Sequence, residues 1–455
     1  MLEVVGHLRR ALIGATVLAF AFAGPEARAA EPFLNVGKQV PITILINSSP
    51  WYGGFEAIVD LYNEQTGNEV NLDVTPYGGM LEKARNAVRG SSSPYDLLNL
   101  DSGWTIEFYD GGFLKPLNEI DPAMKLPEQV LECGNTFWWN AEKRFRTPAG
   151  GKLMAAPPNC NIHILAYRAD LFKAAGLAAP KTYDDVLAAC KKVQNPPNVY
   201  GFMTRGERGN AIRYDFSPFM LSYGGDVVAD AASGDYTVTF NSPKVLAALD
   251  QFINLMRTCG PANYGSIGQA DEIQLMSSGK AAMIQVVIAA WSNFEDKTKS
   301  AVAGKVAAAP VPAAAVGQKP GVAIGNWNLA VPKNTPVDRQ KASVAFLNWF
   351  LTAQAQRAYA EAGGIPVRTD TLKSDLAQQP KYSWMPAYLE SIEVGQPTLG
   401  FAEGAEVEQI MGLRLNQALI GELSSAKALN LASNEIAAVF TRTGRKTGKL
   451  SPLPE

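Results

Sequence analysis

Ile42-Thr43-Ile44-Leu45-Ile46, Val70-Asn71-Leu72-Asp73-Val74 and Leu97-Leu98-Asn99-Leu100 are three strand-like segments, and what lies between them decides the fold class. Phe55, Ile58, Val59 and Tyr62 recur at helical spacing until Gly67. A second predicted helix, Leu81 to Val88, follows the second strand and runs into turn residues Ser91 to Pro94. Strand, helix, strand, helix, strand in this order requires a parallel sheet with right-handed crossovers. All three strand exits then share one sheet edge, where open α/β sheets hold their ligands. Those exits carry Asn47 to Gly54 with Trp51, Pro76 to Gly79 with Tyr77, and Asp101, Ser102 and Trp104. Trp51, Tyr77 and Asp101 are therefore expected to converge.

Further along, Gly279-Lys280-Ala281-Ala282 leads into an apolar run, Met283 to Ala290, of strand length with β-branched residues at its centre. It reads as a strand buried on both faces, with Trp291, Ser292 and Asn293 at its exit. Trp291 either meets a ligand there or caps the core. Between these regions, Gly150 to Phe172 holds two prolines and then an alternating strand. Thr182 is placed to cap a helix through Asp185, Val186 and Ala189. Other predicted elements are a helix from Ser242 to Arg257, a strand in Val306 to Pro312, a small-residue linker from Ala313 to Gly321, and a strand in Gly325 to Val331. One long helix is predicted over Asp338 to Ala362, ended by Gly363-Gly364.

A chain of 455 residues exceeds the size at which a single core keeps growing, so two domains are expected. Its 47% apolar and 18% charged residues describe a well-packed globular protein. A net charge of -2, with no basic run interleaved with aromatics, gives no basis for a nucleic-acid partner. Arg9 and Arg10, the apolar run Ala11 to Ala23 and Ala27-Arg28-Ala29 together read as a cleavable signal peptide over residues 1–29. The run is short for a membrane span, and no cysteine near the cleavage point would carry a lipid anchor.

Cys133, Cys160, Cys190 and Cys259 lack C-x-x-C spacing, and His163 is the one histidine beyond the signal segment, so neither a zinc site nor any other metal or cofactor is expected. An even count in an exported chain favours disulfides, and of three connectivities Cys133–Cys160 with Cys190–Cys259 is preferred. Buried free thiols are the alternative.

The run Tyr167-Arg168-Ala169-Asp170-Leu171-Phe172, Gly176-Leu177 and Pro180-Lys181-Thr182-Tyr183-Asp184-Asp185 resembles the signature of the family 1 extracellular solute-binding proteins, which serve carbohydrate ABC importers and include maltose-binding protein. Gly279 to Met283, Ala290 to Asn293 and Gly363-Gly364-Ile365-Pro366-Val367-Arg368 are similar to further stretches of that family, in the same order. The resemblance implies an α/β periplasmic binding protein fold. Two lobes, each a mainly parallel sheet flanked by helices, would face each other across a ligand cleft. Residues 30–158 and 311–365 would form lobe 1, and residues 159–310 and 366–455 lobe 2, with crossings near Pro158 to His163, Val311 and Ile365 to Arg368. It also implies a periplasmic, monomeric receptor that takes up a carbohydrate and hands it to a membrane permease. Trp291 and Tyr214 match aromatic contacts of the family. Asn161 falls where the first crossing faces the ligand, and is neutral at a position that is acidic in the maltodextrin binder, so the same sugar does not follow.

Chemistry supports a sugar independently. Its C–H faces suit aromatic rings and its hydroxyl rim suits Asp, Asn and Arg in a desolvated cleft. Trp51, Tyr77, Trp104, Tyr214, Trp291 and Trp327 are the candidate faces; Asp101, Asn161, Asn326 and Arg368 are the candidate rim. Arg368 would equally suit a carboxylate or sulfonate. A secreted hydrolase and a glycan-binding surface protein are the rival classes. The hydrolase lacks G-x-S-x-G and H-E-x-x-H, although paired carboxylates leave no signature in sequence.

Overall fold

The computed structural model describes residues 32–455, so the signal peptide expected over residues 1–29 lies outside the described residues. The first region alternates as the sequence predicts: β1 (Ile42–Asn47), α1 (Tyr52–Thr66), β2 (Val70–Thr75), α2 (Tyr77–Arg89) and β3 (Leu97–Asp101). β1 runs parallel to both neighbours, with Ile42 opposite Val70 and Ile44 opposite Leu97. Its Ile44, Leu45 and Ile46 are fully buried, as a strand covered on both faces requires. Gly67 ends α1 in the left-handed conformation, φ 66°, and its N–H caps Asn63 O. Short strands β4 (Leu114–Lys115) and β5 (Ala155–Ala156) complete this part of the chain.

The second sheet departs from the expected parallel arrangement. It is built on β6 (His163–Arg168). The helices α3 (Tyr183–Val193), α4 (Asn210–Ser222), α5 (Pro243–Cys259) and α6 (Gln269–Ser277) precede β7 (Met283–Val287) and β8 (Val306–Ala309). Both β7 and β8 pair antiparallel with β6. Because β6 and β7 run antiparallel, the helical layer between them does not make a βαβ unit and the handedness rule does not govern it. The predicted Thr182 cap forms, and Ser242 caps its helix as well. Thr182 accepts from Asp185 N–H while Asp185 accepts from Thr182 N–H, and Ser242 accepts from Val245 N–H.

The chain returns to the first sheet later than expected. Around Val311 it still bonds to the second region: Ser222 Oγ donates to Pro312 O, and Tyr183 N–H donates to Ala313 O. β9 (Val322–Ile324) follows, and only at Gly325–Asn326 does the backbone enter β10 (Trp327–Pro332), which pairs antiparallel with β3, β4 and β5. The first sheet therefore has the order β2-β1-β3-β10-β4, with β5 also on β10. The single helix predicted over Asp338 to Ala362 is two, α7 (Val337–Phe350) and α8 (Ala353–Glu361), because Thr352 turns out of the helix and caps Ala355 N–H. Phe346, Phe350 and Tyr359 from these helices pack on Phe55 of α1. Near the end, β11 (Gly395–Pro397) pairs parallel with β9, followed by α9 (Gly404–Ile420) and α10 (Ser425–Arg442). Both preferred disulfides, Cys133–Cys160 and Cys190–Cys259, are formed.

Candidate functional site: a polar cleft beside an aromatic cluster

The strand exits of the first sheet line one cavity of about 780 Å³. Asn47 to Trp51 follow β1, Tyr77 opens α2, and Asp101 to Gly103 follow β3. Trp327 joins them because its register partner across β10 and β3 is Asp101. Tyr77, Trp104 and Trp327 form a ring cluster with centroids 4.8, 6.0 and 5.9 Å apart. Asp101 Oδ1 accepts from Gly103 N–H at 2.7 Å. Desolvation, reinforced by the Glu408 carboxylate, pushes its pKa up to about 7.

The facing wall comes from the loop before α4, from α4 itself and from α6. Arg205, Glu207, Arg208, Asn210, Arg213 and Tyr214 line it, with Gln269 and Gln274. Two of the guanidiniums are already paired. Arg205 reaches Asp215 Oδ1 through Nε at 2.8 Å and Nη2 at 2.5 Å, and Arg213 forms a buried ion pair with Glu408. His163 Nε2 also meets Asp215, at 2.8 Å. Burial alone would raise the Asp215 pKa, but Arg205 and His163 outweigh it and hold the carboxyl far below its usual range. Desolvation lowers His163, which is fully buried and out of reach of a substrate. Tyr214 is held by its neighbours: its hydroxyl donates to Ala323 O, and Arg205 and Arg213 lie 5.7 and 5.5 Å from its ring centre. The two walls touch through Tyr77, whose hydroxyl donates to Glu408 at 3.2 Å and accepts from Asn210 at 3.0 Å.

A match to the bacterial extracellular solute-binding protein family spans residues 47–357, well over half the chain. The chain belongs to this family. Among relatives of this solute-binding protein, a probable ABC transporter-binding protein of Deinococcus radiodurans is 26% identical over 326 residues, covering 70% of this chain and 73% of that one. The mannitol-binding protein of Pseudomonas aeruginosa is 25% identical over 314 residues, covering 65% and 71%. In solved structures the same fold occurs in an ABC transporter solute-binding protein of Agrobacterium radiobacter in complex with ribitol. The TM-score is 0.77 at 22% identity, over 90% of this chain and all of the other.

Within this solute-binding protein the ten residues singled out from sequence separate into two groups. Trp51, Tyr77, Asp101, Asn161, Tyr214 and Trp327 line the cavity together. Asn161 gives its side-chain oxygen to Ala289 N–H, so its amide N–H groups are what it can offer. Trp104, Asn326, Arg368 and Trp291 do not line it. Trp104 stands behind Tyr77 and Trp327 as their packing partner. Asn326 is fully buried in a network with Thr136 and Asn328. Arg368 is committed to Asp370 and to Leu351 O. Trp291 is displaced because β7 ends at Val287; Ile288–Ala290 form a 3-10 turn, and Trp291 starts a short helix whose indole N–H donates to Lys381 O.

The cleft arginines and glutamines were missed from sequence. The charged, glycine-broken run Thr204-Arg205-Gly206-Glu207-Arg208-Gly209-Asn210 was the available signal, since such loops carry function. Among the described residues, no group of three His, Cys, Asp or Glu could hold a metal ion.

Proposed function

We propose that this solute-binding protein captures a polyhydroxylated small molecule, a sugar, short oligosaccharide or polyol, outside the cytoplasm and presents it to the permease of an ABC importer. The observation that carries this reading is the cavity itself. Amides and charged groups ring it, and Trp327 and Tyr77 stand at one wall opposite the arginine-lined wall, which would move about the crossing segments as ligand enters and leaves. Hydroxyls would pair with Asn161, Asn210, Gln269 and Asp101, and ring C–H faces would meet Trp327. The relatives named for mannitol and bound to ribitol support the ligand class. The protein acts as a monomer and delivers its ligand chemically unchanged, in keeping with its membership of a solute-binding family. A thermal-shift screen of monosaccharides, oligosaccharides, polyols and amino acids tests the reading. A ligand at a hundredfold excess over Kd adds about 2.7 kcal/mol, so at least one polyhydroxylated compound should raise the melting temperature. Amino acids alone being active, or release of cleavage products from an oligosaccharide, would refute it.

A further inference from the structure

We propose that Asp101, with the cavity-lining rings of Tyr77 and Trp327 that Trp104 backs, forms a subsite for an ammonium group, so that the ligand is an amino-substituted sugar or amino-alditol. The inference rests on the carbohydrate reading above and narrows it.

It starts from the charges around the cleft. Of the three guanidiniums lining it, Arg205 is taken by Asp215 and Arg213 by Glu408. Arg208 is matched in number by Glu207 beside it on the exposed rim. Asp101 is left over. Among the described residues no cation pairs with it, and its side chain accepts only the Gly103 N–H. A neutral hydroxyl could share this carboxylate but would leave its charge uncompensated in a poorly hydrated floor, which is costly. A cation on the ligand removes that cost.

The rings supply the second half. Trp327 is the cross-strand partner of Asp101, and Trp104 follows it by one turn, its backbone N–H donating to Asp101 O at 2.8 Å. Tyr77 packs on both indoles. A carboxylate beside aromatic rings offers an ammonium a charge partner together with π-electron density. Neither a carboxylate nor a phosphate on a ligand would be tolerated at this wall. Desolvation and the Glu408 carboxylate raise the Asp101 pKa more than Arg213 and Arg205 lower it, and this gives the subsite a signature. An ammonium ligand should bind more tightly as pH rises from 5 to 8 and Asp101 ionises, whereas a neutral analogue gains nothing from that ionisation.

Calorimetry with matched pairs tests this: glucitol with glucamine, glucose with glucosamine, and di-N-acetylchitobiose with its deacetylated form. At least one amino compound should bind at least about tenfold more tightly than its neutral partner, as a charge-assisted bond predicts. For glucamine, whose alkylammonium stays charged across this range, the ratio should grow with pH, and for every pair it should collapse to near one in Asp101→Asn, with circular dichroism confirming that the variant is folded. If neutral members bind and their amino partners bind no more tightly, the ammonium subsite is refuted while the carbohydrate reading stands. A preference that survives Asp101→Asn also refutes it. If no member of any pair binds and the wider screen is blank, both readings fail.

Discussion

Trp291→Ala tests whether the indole is core or cleft. The side chain is 3% exposed, donates to Lys381 O at 3.1 Å and stands edge-on to Phe294 at 6.1 Å. The gap beside it, bordered by Gly363, Gly364 and Trp384, holds only about 20 Å³. The neighbours are therefore already packed, and removing the indole leaves a void they cannot fill. Truncation of a core tryptophan costs about 3–5 kcal/mol. The released Lys381 carbonyl adds little, since Lys381 is exposed and water can replace the lost donor. With an unfolding entropy of about 2.1 cal/mol/K per residue, a chain of this length shifts by roughly 1 °C per kcal/mol, so melting of the ligand-free protein should fall by about 3–6 °C. No residue lining the cavity is removed, so calorimetric affinity for any sugar found by the screen should stay near wild type. A loss of roughly thirtyfold in affinity with unchanged melting, the behaviour of an anchor in a binding pocket, would refute the assignment of Trp291 to the core.

Glu408→Ala should destabilise by about 3–5 kcal/mol in urea unfolding, because it strands the buried Arg213 guanidinium; adding Arg213→Met should recover much of that loss. Glu272 is buried with neither carboxyl oxygen hydrogen-bonded, and burial, with Asp215 nearby, raises its pKa well above the usual value. The folded state then holds a proton that the unfolded state releases, so this group costs stability as pH rises past its ordinary pKa and costs nothing below it. Glu272→Gln should accordingly raise the melting temperature at pH 8 and leave it unchanged at pH 4; equal shifts at both would contradict the sign. Replacing Cys190 and Cys259 by serine opens a link across a sequence separation of 69 residues, which the chain-entropy estimate puts at about 4 kcal/mol, to be read from denaturant midpoints.

Legibility in the sequence followed the range of the interactions. β1, α1, β2, α2 and β3 were readable because each is specified by its own periodicity and turn residues, and their convergence at Trp51, Tyr77 and Asp101 followed from topology alone. The antiparallel pairing of β6 with β7 was not, since Tyr167 meets Met283 only after the intervening helices have packed. Trp291 was misplaced because Ile288-Ala289-Ala290 is apolar whether it extends a strand or turns beneath one. Arg368 and Asn326 carried the right chemistry for a ligand, but Leu351 and Thr136, distant in sequence, had already claimed it. Arg205 and Arg213 escaped notice for the converse reason, their roles being set by Asp215 and Glu408 rather than by any local pattern.

The bond from Cys133 to Cys160 ends one residue before Asn161, which lines the cavity and holds Gly325 and Ala289 by hydrogen bonds. The floor of the cleft is thereby tied to chemistry that only an oxidising compartment performs. A chain still inside a reducing cytosol lacks that tie and the second one between Cys190 and Cys259, and so holds its fold less firmly. Looseness at that stage suits a polypeptide bound for export, which has to cross a membrane before it hardens into a receptor. Oxidation on the far side then acts as a latch, making the cleft firm in the place where there is ligand to catch.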